Sequence, residues 1–264
     1  MSGNPADTTR YEIAVLREDE GRGGSLLMHR IFTEGRRVFI SPPINHFEMV
    51  DTPGEIILAG GGIGITPMVA FAHQLHAENR PFRLHYSVST RADLAFEAEM
   101  KHTPWADKVV YHISDEGSRA DFTQILEQTR PDDHLYCCGP DAYMEAVISA
   151  ALSCGMAEAN CHREYFSVPE RPDYENFDFR LYLATSDQHI DVRADQSAAD
   201  ALNENGFAID VKCADGLCGV CSCTLISGEV EHRDLVLSKA ERAKKILLCQ
   251  SRAAEKDATL TLDL

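Results

Sequence analysis

KCADGLCGVCSCTLISGEV, residues 212–230, decides the reading of the last third of this chain, and KKILLCQSR (244–252) completes it. Four residues separate Cys213 from Cys218 and two separate Cys218 from Cys221, while Cys249 stands alone farther on. That is the thiolate spacing known for [2Fe-2S] centres of the plant type. Three thiolates from one short loop must converge on two irons, so the loop has to curl with its backbone N–H groups turned toward sulfur. Gly216 and Gly219 supply the freedom for such a curl, and inward amides stabilise a negative cluster. Zinc also takes four cysteines, but its ligands usually come as separated pairs two to four residues apart. Three ligands in one loop with a distant fourth favour the two-iron centre. Cys223, two positions past Cys221 on a strand expected over 222–226, reads as a core thiol.

Working outward, FRLYLAT (179–185) and HIDVRA (189–194) alternate apolar and polar residues around Ser186 and Asp187, the pattern of a β-hairpin. QSAADALNENG follows, with Ser197 as N-cap and Gly206 as C-terminal stop of a short helix. With a final ATLTLDL strand these elements outline a small β-grasp domain. SVPERPDYENF (167–177), carrying two prolines and scattered acids, reads as the linker before it.

Upstream of the linker, EIILAG (55–60) is an apolar strand that runs into GGIGITPM and then into VAFAHQLHAEN, which has helical periodicity. Strand, glycine loop and helix form a phosphate-binding arrangement. Gly60, Gly61, Gly62 and Gly64 are expected to admit a ligand close to the backbone, Thr66 to cap the helix, and Pro67 to sit in its first turn. FRLHYSVS (82–89), KVVYHIS (108–114) and DHLYCCGP (133–140) read as further strands, each followed by a polar or helical segment. Such alternation predicts a doubly wound parallel α/β sheet with ligands at the carboxyl ends of its strands. There Cys138-Gly139-Pro140 opens the helix DAYMEAVISAALSCG and faces the same crevice as the glycine loop.

Composition narrows the class of partner. The 264 residues carry 25 Lys+Arg against 42 Asp+Glu, a net charge of -17, with no basic run to follow a nucleic-acid backbone. No apolar run reaches the roughly 18 to 20 residues of a membrane helix, and the polar N-terminus lacks the apolar stretch of a signal peptide. A cytoplasmic protein with reduced thiols is expected, and the acidity suits solubility or steering toward a basic docking patch.

RGGS (22–25), GGIGITP (61–67), CCGP (137–140), HREYF (162–166) and the cysteine loop occur in this order along nearly the whole chain. Together they resemble the reductase components of the phthalate dioxygenase and vanillate demethylase type. The resemblance implies an FMN-binding β-barrel, an NAD domain and a C-terminal ferredoxin. Its members oxidise NADH at FMN and pass electrons singly through the cluster to a terminal oxygenase that hydroxylates or demethylates. Mapped onto this sequence, the flavin contacts fall on Ala14, Val15, Gly23, Gly24, Ser25 and Thr66. The nicotinamide side falls on Thr66, Cys138, Gly139 and Pro140, with Phe166 as the aromatic closing the NAD domain and Glu164 nearby. His162 reads as structural.

One departure bears on the flavin. The family's barrel carries an Arg-x-Tyr-Ser motif, and MSGNPADTTRY resembles what directly follows it, so the N-terminal half of the barrel is expected to be missing. An upstream start, a partner chain that completes the barrel, or loss of flavin would each account for this. The expected division is a partial FMN barrel over 1–50, an NAD domain over 51–166, the linker over 167–177 and the [2Fe-2S] ferredoxin domain over 178–264. The alternative to an NADH-dependent reductase is a flavin-less [2Fe-2S] relay subunit that works only inside a larger oxygenase complex. Cosubstrate choice turns on Ser89, Thr90, Arg91 and Asp93 after the second strand. Aspartate there favours a ribose hydroxyl and NADH, whereas Arg91 keeps NADPH open.

Overall fold

The computed structural model describes residues 1–264 except 22, 41 and 169–172. Arg22 of RGGS and the middle of the expected linker therefore lie outside the described residues. The chain divides into two compact units, Met1–Phe166 and Ser167–Leu264. No helix among the described residues is long and apolar enough to cross a membrane.

The first unit is organised by a five-stranded parallel sheet in the order β3-β2-β1-β4-β5. Its strands are β1 (Ile56–Gly61), β2 (Phe82–Val88), β3 (Val109–Ile113), β4 (His134–Cys138) and β5 (Cys161–Glu164). Every residue of β1 is buried, as a central strand covered on both faces requires. Ile56 and Leu58 join the core beneath α2 (Ile65–Ala77) with Met68, Leu75, Leu84 and Trp105. Ile57 and Ala59 point the other way, toward α4 (Phe122–Leu126) and α5 (Asp141–Ser153), with Leu135, Met144 and Val147. A short helix, α3 (Glu97–Met100), lies between β2 and β3. HREYF, not anticipated as a strand, supplies three of the four residues of β5, which pairs parallel to β4. A four-residue strand is short enough for the alternation to escape notice.

Residues 1–50, expected to form part of a barrel, hold no strand among the described residues. Their regular element is α1 (Gly24–Ile31), which the sequence pattern did not suggest. A strand needs a neighbour to take its N–H and C=O groups, and although Ser2 N donates to Glu12 O at 3.0 Å, no ladder forms. Tyr11, Ile13, Leu16, Phe39, Ile40 and Ile44 are all exposed, Phe39 at 94%. The end of this stretch is anchored: Phe47 packs against Phe71 and Tyr136, and Val50 N donates to the Tyr136 hydroxyl at 2.8 Å.

The second unit is a mixed sheet in the order β10-β8-β12-β6-β7. The hairpin β6 (Phe179–Leu183) and β7 (Gln188–Val192) turns through Asp187, which has a positive φ of 53°. Next comes α6 (Ala198–Glu204), started by a Ser197/Asp200 capping box and stopped at Gly206 with φ 88°. Then follow β8 (Ser222–Ser227), β9 (Val230–Glu231), α7 (Lys239–Arg242), β10 (Lys245–Leu247), β11 (Arg252–Ala253) and β12 (Thr259–Leu262). β12 runs parallel to β6 and antiparallel to β8, so the last strand lands mid-sheet in the β-grasp manner. Part of the expected linker is held on this unit: Arg233 lies over the Tyr174 ring at 4.3 Å and donates to Asn176 Oδ1 at 2.7 Å, while Arg252 donates to Phe177 O at 2.9 Å.

Candidate functional site

β2 and β3 lie on one side of β1 and β4 on the other, so the strand order reverses between β1 and β4. A crevice opens at such a point in an α/β sheet. Register sets Gly60 beside Cys138, which brings the glycine turn and the Cys-Gly-Pro turn side by side. They interlock: a Cβ on Gly64 would lie 2.2 Å from the Cys138 carbonyl oxygen, and one on Gly139 would lie 3.0 Å from Gly61 Cα.

The glycines divide by cause. Gly60 is crowded by Ile65 at 3.0 Å, and Gly61 and Gly139 by the Tyr143 ring at 2.8 and 2.9 Å. Only Gly62 of the glycine loop combines a positive φ, 53°, with open space where a side chain would be. The four glycines thus differ: Gly60 and Gly64 serve the protein's own packing, Gly61 borders the opening while packed against Tyr143, and Gly62 borders it with open space at its Cβ. Thr66 does not cap the helix. The N-cap is Gly64, and Thr66, buried in the first turn, donates its hydroxyl to Ile63 O at 3.1 Å.

A crevice of about 790 Å³ opens over these turns, bordered by Gly61, Gly62, Ser87, Ser114, Pro140 and Tyr143. Its size suits a nucleotide-sized ligand. Ser87 Oγ, Tyr143 OH and Asp141 Oδ1 are buried with no hydrogen-bond partner, which in a native site marks groups that a ligand or water satisfies. Burial pushes the Tyr143 phenol up; the Ser87 hydroxyl opposes that shift, yet neither oxygen has a partner at normal hydrogen-bond length. The sequence reading passed over Ser87 and Tyr143. The available signal was Tyr143 itself, an aromatic three positions after Pro140 whose ring explains two glycines.

Cys138 lies under this surface, its thiol pushed up by burial first and by Glu164 and Cys137 after it. Glu164 pairs with it in register, and burial raises its carboxyl too. Phe166 is half-exposed at the end of the first unit. His162 has a structural role: its Nε2 lies 2.9 Å from His134 Nδ1 and its ring stacks on Tyr136 at 4.4 Å. In the first fifty residues, Ser25 Oγ accepts from Glu18 N at 3.1 Å and His29 Nε2 meets Val15 O at 2.9 Å. Gly23, Gly24 and Ser25 thus stand at the start of α1, where no side chain caps the helix, whereas Val15, next to Ala14 in sequence, meets the helix's last turn through His29.

In the second unit the cysteine loop is irregular. Ala214, Gly216 and Gly219 all take positive φ, 55°, 72° and 68°. The curl turns amides toward sulfur: Asp215 N donates to Cys213 Sγ at 3.3 Å. Burial alone would raise the Cys213 thiol, but N–H groups of Asp215, Leu217 and Cys218 and the Cys218 side chain bring it below its ordinary value. Cys221 falls to about 6, first because it accepts from Cys249, then through backbone N–H groups around Cys249 and Leu248; Cys249, the donor, is raised. Cys213 and Cys218 are half-buried, Cys221 and Cys249 buried. Among the described residues no three His, Cys, Asp or Glu side chains converge on a single-ion site. The fit to a cluster therefore rests on four thiols paired by contact and amides that favour thiolate. Cys223 is a core thiol, pushed up to about 11 by burial.

A glycine turn at the switch point of a parallel sheet, joined in one chain to a four-thiol β-grasp loop, defines a pyridine-nucleotide-dependent iron–sulfur oxidoreductase. The family described as oxidoreductase NAD-binding domain matches residues 58–149, and that described as 2Fe-2S iron-sulfur cluster binding domain matches residues 181–254. The chain is 36% identical over 268 residues to the vanillate O-demethylase oxidoreductase of Acinetobacter baylyi, covering 100% of this chain and 83% of that one. It is similar to the solved phthalate dioxygenase reductase, at 36% identity and a TM-score of 0.61 over 95% of this chain and 78% of that one. It is also similar to part of an intact type IV self-sufficient cytochrome P450 monooxygenase, at 32% identity and a TM-score of 0.88 over 100% of this chain and 34% of that one. The chain belongs to the family of oxygenase reductase components typified by phthalate dioxygenase reductase and vanillate O-demethylase reductase. Members of this family carry electrons from NAD(P)H to a [2Fe-2S] centre, which makes this chain an oxidoreductase.

Proposed function

We propose that the crevice over Gly61, Gly62 and Pro140 binds NADH, that Cys213, Cys218, Cys221 and Cys249 hold the [2Fe-2S] cluster, and that electrons leave the cluster for a terminal oxygenase. The observation that carries this is the pairing of Gly60 with Cys138, which joins the two turns that bound the crevice. A nicotinamide gives up a hydride and the cluster accepts one electron, so FMN supplies the conversion between two- and one-electron chemistry. Gly62 presents open backbone to the dinucleotide, and Ser87 and Tyr143 offer it unpaired hydroxyls. Glu164 and Cys138, both favoured neutral by burial, stand in register beneath the Cys-Gly-Pro turn on the side assigned to the nicotinamide. Gly23, Gly24 and Ser25 at the uncapped start of α1 suit a flavin phosphate. In the second unit, amides of Asp215 and Leu217 stabilise the thiolates and tune the cluster's potential. No side chain is needed as acid or base.

The purified chain tests the reading. It should contain two irons of a [2Fe-2S] centre and FMN, show visible absorbance bands, give a rhombic EPR signal when reduced, and bleach on adding NADH. Stopped-flow addition of NADH that bleaches neither flavin nor cluster refutes it. Iron without flavin, and no NADH-dependent reduction of cytochrome c until a partner is added, would instead establish the flavin-less relay. The absence of a strand among the described residues of 1–50, with their exposed Ile and Phe side chains, is what favours that second reading. The partner is an oxygenase in both: an aromatic demethylase or dioxygenase as for the first relatives, or a P450 haem as in the fused monooxygenase.

A further inference from the structure

We propose that Glu116 sets the choice between the two dinucleotides, by holding Arg91 in an ion pair that withdraws it from the ribose 2′ position and leaves that corner of the crevice net negative. The inference rests on the reading of the crevice as the dinucleotide site.

Two short 3-10 turns build the corner. Arg91–Asp93 follows β2 and Ser114–Glu116 follows β3, and Asp115 N donates to Ser89 O at 3.1 Å, which ties one turn to the other. The first turn is further fixed by Thr90, whose N and Oγ1 both donate to Asp93 Oδ2 at 2.9 Å. Ser89, Ala92, Asp93 and Ser114 border the crevice, so Arg91 sits in sequence between lining residues, at the end of the strand where an adenosine ribose lies in such folds.

Its guanidinium is already engaged. Nε donates to Glu116 Oε1 at 2.7 Å and Nη2 to Glu116 Oε2 at 2.6 Å, a two-point pair, and Nη1 reaches Glu97 Oε1 at 3.4 Å. Arg91 is held charged by the Glu116 hydrogen bond first, with Glu97 and Asp115 adding to it. A phosphate would use the same fork geometry that the carboxylate now occupies. Exposed pairs are individually weak and screened by salt, so the Glu116 pair alone would not keep out a 2′-phosphate. The sum is what opposes it: Glu116, Glu97 and Asp115 act on the one guanidinium, and Asp93 borders the crevice beside them. Even with Lys101 on Glu97 at 2.9 Å and Arg119 on the lining, the acids outnumber the cations, and an incoming dianion meets net negative charge. A ribose 2′-hydroxyl brings no charge and meets no such opposition. The corner therefore accepts NADH and rejects NADPH, although an arginine stands in it.

Calorimetric titration of the full chain with NAD+ and with NADP+ tests this without any need for flavin or turnover. The wild-type chain should bind NAD+ more tightly. Glu116→Gln should tighten NADP+ by about tenfold, the scale of one charged hydrogen bond regained, while NAD+ stays within about twofold. The gain should shrink as salt rises and vanish in the Glu116→Gln, Arg91→Ala double variant. Arg119 also borders the crevice, and Arg119→Ala should weaken both dinucleotides alike. An unchanged NADP+ to NAD+ ratio in Glu116→Gln, a wild-type preference for NADP+, or a selective loss of NADP+ in Arg119→Ala would each overturn the proposal. Failure of the crevice reading itself shows separately, as NAD+ affinity indifferent to Gly62→Ala in a variant whose circular dichroism matches the wild type.

Discussion

The crevice of the first unit and the cysteine loop of the second are the two sites proposed for redox groups, yet they get their shape in opposite ways. The crevice is a by-product of regular structure: β1 is buried on both faces, β4 runs beside it, and the turns that leave them are pressed together by Ile65, Cys138 and Tyr143. The loop has no regular element between α6 and β8 and takes positive φ at Ala214, Gly216 and Gly219. Tertiary packing therefore specifies the first site, while local backbone specifies the second, to which the bonds of a bound cluster would add. A group that donates folding energy on binding is expected at the loop, and one that enters a ready cleft is expected at the crevice.

The largest effect should come from breaking the loop. Cys221→Ser removes a proposed ligand whose thiolate is the better stabilised of the pair it forms with Cys249. Iron content and visible absorbance should fall to near background, and the second unit should lose thermal stability. NAD+ affinity of the first unit should change by less than about twofold, since effects in separate compact units are independent unless they share partners. Retention of full iron content would mean that another thiol, Cys223 being the nearest in sequence, takes the place of Cys221.

Next in size is a break in the crevice. Gly64→Ala puts a Cβ 2.2 Å from the Cys138 carbonyl oxygen and 2.6 Å from Gly139 N, backbone atoms that cannot step aside. Overpacking of this kind should cost about 3 kcal/mol or more and shift the first unit's melting transition while the cluster's absorbance persists. A variant with unchanged melting would show that the two turns separate more easily than their contact implies.

The comparison also says why one site was the more legible. The 2Fe-2S domain was readable, with Cys213, Cys218, Cys221 and Cys249 as its proposed ligands, because thiolate chemistry fixes ligand spacing in the sequence itself. The strands of both units were readable from apolar runs and alternation, since burial imposes those periods, as in FRLHYSVS. The role of each glycine was not, because whether Gly61 faces a ligand or the Tyr143 ring depends on a residue more than eighty positions away. Strand β5 and helix α1 escaped for related reasons: Cys161–Glu164 pairs only because β4 is there, and GSLLMHRI has little to announce a helix beyond its own eight residues. Arg91 is the sharpest instance. Its residue type argued for a 2′-phosphate, and only the fold shows Glu116 already on its fork.

The two units should also part company in acid. His85 and His162 in the first unit are both held near pKa 4, by burial first and by the partner imidazoles His112 and His134 second. Each folded-state value is depressed, so the unfolded chain binds the proton more readily, and stability is lost as pH falls from about 6.5 toward 4. Full expression of one such shift is at most about 3 kcal/mol, reduced here because each pair shares its burial cost. In the second unit the large carboxylate shift is that of Glu241, lowered to about 2 by the Ser238 backbone N–H first and by Lys245 and the Ser238 hydroxyl after it. That contribution is present above the unfolded value of 4.5 and fades only below it, and it is small because the half-exposed carboxylate is screened by solvent. Melting curves at pH 7, 5.5 and 4.5, with cluster absorbance marking the second unit, should show the first unit's transition falling earlier. His85→Gln should flatten the slope; an unaltered slope would place the acid response elsewhere.

The smallest effect separates the glycine that faces the crevice from those that build it. Gly62→Ala meets no atom within 4 Å but keeps φ at 53°, a left-handed conformation that costs an L-residue about 1 kcal/mol. Against Gly64→Ala it should therefore be mild in stability. Its consequence lies in binding, because a methyl group now stands where the dinucleotide backbone is read to approach, and NAD+ affinity should fall by about tenfold, roughly 1.4 kcal/mol. If Gly62→Ala lost stability as Gly64→Ala does while binding stayed intact, Gly62 would belong with the packing glycines, and the distinction between a ligand-facing glycine and a structural one would fail at the position chosen to define it.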